Sequence, residues 1–215
     1  MTLAILDSGA SYHHEAIYAP RYRDRFDKII YAPDLAENDL AGIDALIVPD
    51  RTHPAVLRAK RRVLLSVLAR GGTLIVFAET DSQSWLPNIA WSFRPTNFWW
   101  WLERGAEQGS RVAAPGHALF RHLPPADTVW HYHGVLRPPP GAEPLIVLDQ
   151  ANAPPGAPEA GPECLLYDDR ASTPGRLMVA TLDPFYHHGS YFMPATTRFL
   201  DGFLAWTDAE FRSVA

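Results

Sequence analysis

The first half of the chain carries short, continuous runs of apolar residues. The runs are rich in Ile, Val and Leu and occupy Leu3–Asp7, Lys28–Tyr31, Ala45–Val48 and residues 73–77. Such runs are typical of parallel strands buried on both faces. Between the last two, residues 54–70 place apolar side chains at helical spacing, beginning at Pro54 and ending before Gly71 and Gly72. This strand–helix–strand pattern predicts an α/β sheet.

The second half of the chain has a different pattern. Residues 81–140 are rich in aromatics, prolines and histidines without a sustained period, which predicts a long loop-rich insert with short helices. Strands are expected at 144–148, 163–167 and 176–182, the first two as an edge hairpin. A short helix is expected within 20–26 and a longer one from Pro194 to Phe211. We expect residues 1–215 to form a single domain.

Composition narrows the range of partners. The net charge of -5 gives no broad basic surface, so nucleic acid is not an expected partner. No apolar run approaches the roughly 20 residues that span a bilayer, so no membrane association is expected. The first residues do not resemble a signal peptide, and the expected location is cytoplasmic. The single cysteine, Cys164, excludes an intrachain disulfide and is expected to be a small buried apolar side chain.

Four stretches in order carry a resemblance to a known fold. They are DALIVP at 44–49, LARGGTLIV at 68–76, HALFRHLP at 117–124 and GRLMVATL at 175–182, the last leading to His187. Together they resemble the class I glutamine amidotransferase-like fold, and within it the ThuA-like (trehalose-utilisation) proteins and the trimerisation domain of some β-galactosidases. The resemblance implies a flavodoxin-like, doubly wound, mostly parallel sheet, here with an added β-hairpin and a long aromatic-rich loop region.

The chain departs from that family at the catalytic positions. In amidotransferases of this fold the cysteine nucleophile lies on a sharp turn after a central strand, but here that turn is Ala78, Glu79 and Thr80. The family's histidine corresponds to His187 or His188, and its acidic partner two residues later has no equivalent. A carboxylate cannot replace the thiolate, so we expect no glutamine amidotransferase activity.

Polar residues follow the predicted strands. In doubly wound sheets ligands bind beyond the carboxyl ends of the strands, so these residues form the candidate site. We predict Glu79, His187 and Asp183 as catalytic residues. The predicted ligand-binding residues, several of them placed in loops, are Asp7, His13, His14, Asp50, His133, Tyr186 and His188.

A metal site is one alternative for these residues. Imidazoles and carboxylates are ligands of zinc and similar divalent ions, and His13 and His187 are the metal candidates. Adjacent histidines in an extended loop point in opposite directions, so at most one of each pair faces a common centre. The pair His131 and His133 is a third candidate. For the acidic residues at the strand ends, such as Asp7 and Asp50, the alternative to a functional role is that they cap helices or pair with arginines such as Arg51.

Tryptophan is concentrated near Phe98, where Trp99, Trp100 and Trp101 follow in sequence. Such a cluster is compatible with core packing, a subunit interface or carbohydrate stacking. Three functions therefore stay open. The chain binds a small polar ligand, with carbohydrate as one candidate; it is a metal-dependent hydrolase or an acid–base enzyme acting on a sugar derivative; or it is a non-catalytic oligomerisation module that forms a homo-oligomer.

Overall fold

A computed structural model describes residues 1–96, 98–149 and 162–212. These residues form a ten-stranded sheet with the path β2-β1-β3-β4-β10-β9-β7-β5, in which β8 also pairs with β9 and β6 pairs with β8. The strands are β1 (Leu3–Asp7), β2 (Lys28–Tyr31), β3 (Ala45–Val48), β4 (Thr73–Val76), β5 (Ala90–Ser92), β6 (Ser110–Val112), β7 (Val135–Arg137), β8 (Glu143–Leu148), β9 (Cys164–Asp169) and β10 (Arg176–Ala180).

Strands β2, β1, β3, β4 and β10 are parallel to one another. Every residue of β1, β3, β4 and β10 is buried, because helices cover both faces of this half of the sheet. The helices are α1 (Ser11–Tyr18), α2 (Pro54–Ala59), α3 (Arg61–Ala69), α4 (Pro184–Gly189) and α5 (Pro194–Phe211). The predicted α/β, flavodoxin-like class is confirmed.

Two apolar cores lie on opposite faces of the sheet. Along β1, Leu3 and Ile5 belong to the core that contains α1 and α5, whereas Ala4 and Leu6 belong to the core that contains α2 and α3. This alternation follows from the two-residue repeat of a strand. The sheet is therefore doubly wound.

The local structure of the helical regions differs in part from the prediction. The helix expected over residues 54–70 is interrupted at Lys60, so α2 and α3 are separate. The stretch 20–26 contains only the 3₁₀ turn Arg23–Arg25, which ends where Phe26 takes up an extended backbone conformation. The two Tyr-His-His motifs, predicted to lie in loops, lie in α1 and α4.

The insert at 81–140 contributes three short strands, β5, β6 and β7, to the sheet. As a result the predicted hairpin of β8 and β9 is not at an edge: β9 pairs with β10, β8 and β7, and β6 pairs with β8. The turn predicted between these two strands lies, except for Pro162, outside the described residues. Among the described residues, none of the helices combines the length and the apolar composition of a membrane-spanning segment.

The first turns of α1 and the end of α4 are in very close contact. A Cβ atom placed on Gly189 would lie 1.9 Å from the carbonyl oxygen of Tyr12. Only glycine permits that approach, because any side chain would overlap the backbone of α1. The contact fixes α4, and with it the residues that follow β10, over the carboxyl ends of the parallel strands.

Candidate functional site

Four side chains converge beyond the carboxyl end of β10. His131, His133, Asp183 and His187 each offer one ligand atom, and these atoms lie within 4.8 Å of one another. Asp183 and His187 come from the beginning and the body of α4, whereas His131 and His133 come from the segment that precedes β7. The backbone N–H of His133 donates to the Thr181 carbonyl at 2.9 Å and docks that segment against β10. We call these four residues the histidine–aspartate cluster.

Asp183 lies at the centre of the cluster. Its Oδ2 is 3.0 Å from His133 Nε2 and 3.3 Å from His187 Nε2, and its Oδ1 is 3.4 Å from His131 Nε2. His131 Nε2 and His187 Nε2 are 2.7 Å apart. Two imidazole nitrogens at that distance cannot both carry a proton, so at least one is available as an electron-pair donor.

Burial and charge act against each other in this cluster. Burial would raise the pKa of Asp183, but the three histidines hold it well below its usual range. Burial would lower the pKa of His133, but Asp183 and Glu79 raise it to about 9. Burial lowers the pKa of His131. The cluster thus contains an ionised carboxylate, with His131 favoured in its neutral form.

Glu79 and Arg51 form one wall of the cluster. Arg51 Nη2 lies 2.6 Å from Glu79 Oε2 and 3.0 Å from Asp183 Oδ2, and Glu79 Oε1 lies 3.2 Å from His133 Nδ1. The guanidinium group also lies over the Tyr186 ring, 3.9 Å from its centroid. Both Arg51 and Glu79 have φ of 57°, a left-handed conformation that is uncommon outside glycine and is often associated with functional sites.

Several buried polar atoms of the cluster have no hydrogen-bond partner among the described residues. They are Asp183 Oδ1, His131 Nδ1, His187 Nδ1 and His133 Nε2, although His133 Nε2 lies 3.0 Å from Asp183 Oδ2 and Asp183 Oδ1 lies 3.4 Å from His131 Nε2. A buried polar atom without a partner costs about 1–3 kcal/mol. A bound ion or ligand at the cluster would satisfy some of them.

The predicted residues Asp50 and His13 have other contacts. Asp50 is fully buried, and its carboxylate accepts from the backbone N–H groups of Phe185 and Tyr186 at 2.8 and 2.9 Å, which caps α4. Burial, followed by the charge of Asp183, raises the pKa of Asp50. His13 donates from Nε2 to the Asp50 carbonyl at 2.7 Å and accepts at Nδ1 from the Ser8 hydroxyl at 2.6 Å. Both residues position the elements that carry the cluster.

The other predicted ligand-binding residues lie outside the cluster. Asp7 accepts from the Gly9 N–H and the Tyr18 hydroxyl. His14 is exposed and stacks on Tyr18, and His188 contacts the Thr197 hydroxyl at 2.8 Å. Each of these contacts is local to α1 or to the α4–α5 junction. Of the predicted residues, the cluster and its wall bring together Glu79, His133, Asp183, Tyr186 and His187.

Two residues are more central than the sequence pattern indicates. From the sequence, His131 is predicted only together with His133, as a third candidate pair. In an extended segment, however, side chains two residues apart point to the same side, and this spacing before a strand could have indicated that both histidines face the site. Arg51 is expected only as a partner for strand-end acids. Its position directly after Asp50, at the end of β3, is the signal that could have placed it in the site.

Two cavities adjoin the cluster. The larger, about 750 Å³, has Arg51, His131, His133 and His187 on one side; its aromatic wall consists of Phe98, Trp99, Trp100, Trp101, Trp130, Tyr186 and Phe192. We call it the aromatic pocket. The smaller, about 320 Å³, borders Glu79, His133, Thr181 and Trp91, and we call it the side pocket. Of the tryptophans, Trp85 and Trp130 are buried in the cores, whereas Trp99 and Trp101 are exposed at the aromatic pocket.

The structure provides no cysteine nucleophile at the cluster. Cys164, the single cysteine of the sequence, lies in β9 and is fully buried, and burial raises the pKa of its thiol to about 12. The turn after β4, where amidotransferases carry their nucleophile, presents Glu79 in a left-handed conformation instead. A thiol with so high a pKa is not a nucleophile at neutral pH.

Comparison with solved structures shows which fold this is. A ThuA-like protein from Bacteroides uniformis is 13% identical with a TM-score of 0.52, over 95% of this chain and 89% of its own. A cytoplasmic protein from Salmonella typhimurium is 12% identical with a TM-score of 0.57, over 95% and 99%. A protein from Thermoplasma acidophilum, described as one of the subunits of GMP synthase, is 12% identical with a TM-score of 0.54, over 99% and 96%.

At these identities the likeness concerns the fold alone, and the chain has a glutamine amidotransferase-like fold. No protein-family model matches the sequence, and no curated protein matches it either. The function therefore has to be argued from the site, because one fold hosts many chemistries.

Proposed function

We propose that this protein binds a divalent metal ion, zinc or one of similar ligand preference, at the histidine–aspartate cluster, and that it acts on a small polar molecule held in the aromatic pocket. The observation that carries the proposal is the convergence of three imidazoles and one carboxylate within 4.8 Å in a largely buried site. Zinc binds nitrogen and oxygen donors of these types, and its catalytic sites use three protein ligands and keep the fourth position open to water.

The spacing around Asp183 is close to the spacing of ligand atoms around a zinc ion. Ligand atoms about 2.0–2.1 Å from a tetrahedral zinc ion lie about 3.3 Å from one another. The distances from Asp183 Oδ2 to His133 Nε2 and His187 Nε2, 3.0 and 3.3 Å, are close to that value, as is the 3.4 Å from Asp183 Oδ1 to His131 Nε2. The distance of 2.7 Å between His131 Nε2 and His187 Nε2 is shorter, so an ion would move these rings apart by about half an ångström.

Glu79 supports the proposal from outside the cluster. Its carboxylate lies 3.2 Å from His133 Nδ1, which leaves Nε2 on the side of Asp183. Histidines that bind a metal usually donate their second nitrogen to a carboxylate or carbonyl, which fixes the tautomer and the ring orientation. Glu79 would then be a positioning residue for His133 rather than a ligand.

The chemistry follows from the donor set and the pocket. With three of the four side chains as ligands and one coordination position open, a bound divalent ion would supply a water of lowered pKa or polarise a carbonyl, which is the basis of metal-dependent hydrolysis. Arg51, next to the cluster, is placed to orient an oxygen of the ligand, and the aromatic wall suits a flat apolar face. A small polar molecule with such a face, a carbohydrate for example, is the proposed substrate class.

A second candidate function is ligand binding without a metal. It is favoured by the contacts of Arg51 with both Asp183 and Glu79, and by the raised pKa of His133. These two cations can neutralise the two carboxylates by themselves. The site would then be a charged, hydrogen-bonding floor for a polar ligand. Self-association through the exposed aromatic residues stays a prediction, which sedimentation would test.

Metal content separates the two candidates. Purified protein would be treated with a chelator, titrated with Zn²⁺ in a calorimeter, and then analysed by mass spectrometry for bound metal. We expect about one ion per chain. His187→Ala should weaken binding at least tenfold. The adjacent His188→Ala is the matched control, because His188 contacts Thr197 outside the cluster and its loss should leave binding unchanged.

Asp183→Asn provides a second variant of nearly the same shape, which removes the charged ligand and should also weaken Zn²⁺ binding. Thermal melts would establish that each variant is folded. A wild-type protein that takes up no stoichiometric ion, or an His187→Ala variant that binds as tightly as His188→Ala, would contradict the metal proposal and leave the metal-free candidate.

A further inference from the structure

The side pocket contains a hydroxyl group without a partner. Thr181 lines this cavity and is 2% exposed, and its Oγ1 has no hydrogen-bond partner within the part of the chain that the structure describes. Its backbone N–H donates to the Leu165 carbonyl at 2.8 Å, and its carbonyl accepts from the His133 N–H at 2.9 Å. The backbone is thus held in place, and the hydroxyl is available to a ligand in the cavity.

Trp91 forms an aromatic wall of the same cavity. Its Nε1–H donates to the His133 carbonyl at 2.9 Å, so the indole is held in one orientation. The residue is 39% exposed, which leaves ring surface uncovered. Gly134 makes this position possible, because a Cβ atom there would lie 2.5 Å from Trp91 Nε1. A fixed indole suits stacking against a flat ring.

The charges around the side pocket are already paired. Glu79 lies 2.6 Å from Arg51 and 3.2 Å from His133, and Asp81 lies 3.1 Å from Arg58. A cationic ligand would therefore find both of these carboxylates compensated, and an anionic one would meet two acids. The pocket favours a neutral molecule that donates or accepts hydrogen bonds.

We propose that the side pocket is a separate binding site for a small, neutral, ring-shaped molecule with hydroxyl groups at its edge. One face of the ring stacks on Trp91, and its hydroxyl groups contact Thr181 Oγ1 and the Glu79 carboxylate. The volume of about 320 Å³ limits the occupant to a single ring of this kind. The site shares Glu79 and His133 with the wall of the cluster but requires no metal ion.

The test uses two matched cyclic probes, myo-inositol, with a hydroxyl group on every carbon, and cyclohexanol, with one. Binding would be followed by the indole N–H signal of Trp91 in proton–nitrogen correlation spectra, assigned with Trp91→Phe. We expect myo-inositol to shift this signal saturably, with a Kd in the millimolar range, about 1–10 mM. Cyclohexanol should bind at least about tenfold more weakly, since it lacks most of the hydrogen-bonding groups.

The variant that tests the hydroxyl is Thr181→Val, which preserves shape and should weaken myo-inositol binding about fivefold or more. Thr207→Val makes the same change at a buried threonine in α5 and should leave binding unchanged. Since the Thr181 hydroxyl has no partner among the described residues, Thr181→Val should melt at the wild-type temperature or above. A myo-inositol titration without a saturable shift, or equal affinity for wild type and Thr181→Val, would overturn the proposal. Zn²⁺ binding is measured separately, so either proposal can fail without the other.

Discussion

His13 and His187 show how different environments give the same residue type different roles. Both follow a tyrosine and precede a second histidine, but His13 is enclosed by α1 and contacts the Asp50 carbonyl, whereas His187 faces Asp183. Burial lowers the pKa of His13 to about 4. Its two hydrogen bonds, one donated and one accepted, require the neutral ring.

This predicts a pH dependence of stability that is specific to His13. An unfolded histidine has a pKa of about 6.5, so the neutral native ring stabilises the fold fully above that pH. As the pH falls from about 6.5 to about 4, His13 binds a proton in the unfolded chain but stays neutral in the native state. The free energy of unfolding therefore falls by about 3 kcal/mol.

Urea unfolding of wild type and His13→Gln, measured from neutral to acidic pH, tests this dependence. The wild type should have the larger free energy of unfolding at neutral pH, and its difference from His13→Gln should become smaller as the pH falls, because glutamine does not titrate. The exposed neighbour His14 supplies the control, and His14→Gln should follow the wild-type curve. If the free energies of unfolding of wild type and His13→Gln differed by the same amount at every pH, His13 would not titrate as proposed.

At the scale of elements, the site depends on how α4 is held. Asp50 caps its first turn, and Gly189 allows its last turn to contact the backbone of Tyr12. His187 lies between these two attachments. Because Asp183 and His187 both move with α4, a small movement of this helix would change their distances from His131 and His133 without altering any of these side chains.

Gly189→Ala tests this attachment. The added Cβ would lie 1.9 Å from the Tyr12 carbonyl oxygen, so α4 has to move away from α1. We expect the free energy of unfolding to fall by about 1–3 kcal/mol, the usual cost of overpacking, and Zn²⁺ affinity to fall with it. Gly116→Ala is the control, because a Cβ atom there meets nothing within 4 Å. Equal behaviour of the two variants would contradict the role of the contact.

At the scale of the whole molecule, an ion-pair network ties the last strand and helix to the middle of the sheet. Arg176 in β10 donates two hydrogen bonds to Asp168 in β9, at 2.9 and 2.8 Å, and a third to Glu210 in α5. Burial would raise the pKa of Asp168, but His117 and Arg176 hold it well below its usual range. The network lies at the end of the sheet opposite the cluster, so it serves stability.

Asp168→Asn should destabilise the protein by about 3–5 kcal/mol near neutral pH, since it removes the buried carboxylate that pairs with Arg176 and leaves only the less buried Glu210 as its charged partner. Because the native pKa of Asp168 is lowered, this contribution is present above the usual carboxyl pKa of about 4 and is lost at lower pH. Chemical unfolding at two pH values measures both effects.

The exposed pair of Arg111 and Asp149 provides the comparison for this network. Asp149→Asn should change stability by less than about 1 kcal/mol, because a solvent-exposed pair is screened by water. A similar loss for the two variants would mean that Asp168 contributes no more than a surface carboxylate.

The sequence by itself determined the parallel half of the sheet, the last helix and the absence of an amidotransferase nucleophile. Apolar runs such as Ala45–Val48 identify buried strands because a continuous run of apolar side chains is visible in consecutive residues of the sequence. The identity of the residue in the turn after β4 is equally local information, and it is Glu79. The polar residues at strand ends are predicted to form a site for the same reason.

Only the tertiary structure decided which of those residues meet. His131 and His133 lie in the insert, which carries no periodic signal, and they reach Asp183 because the segment docks on Thr181. His13, Asp50 and His188 lie near strand ends too, but the packing of α1, α4 and α5 directs them into structural contacts. Side chains about 50 residues apart in sequence form one cluster through long-range packing, which local patterns do not encode.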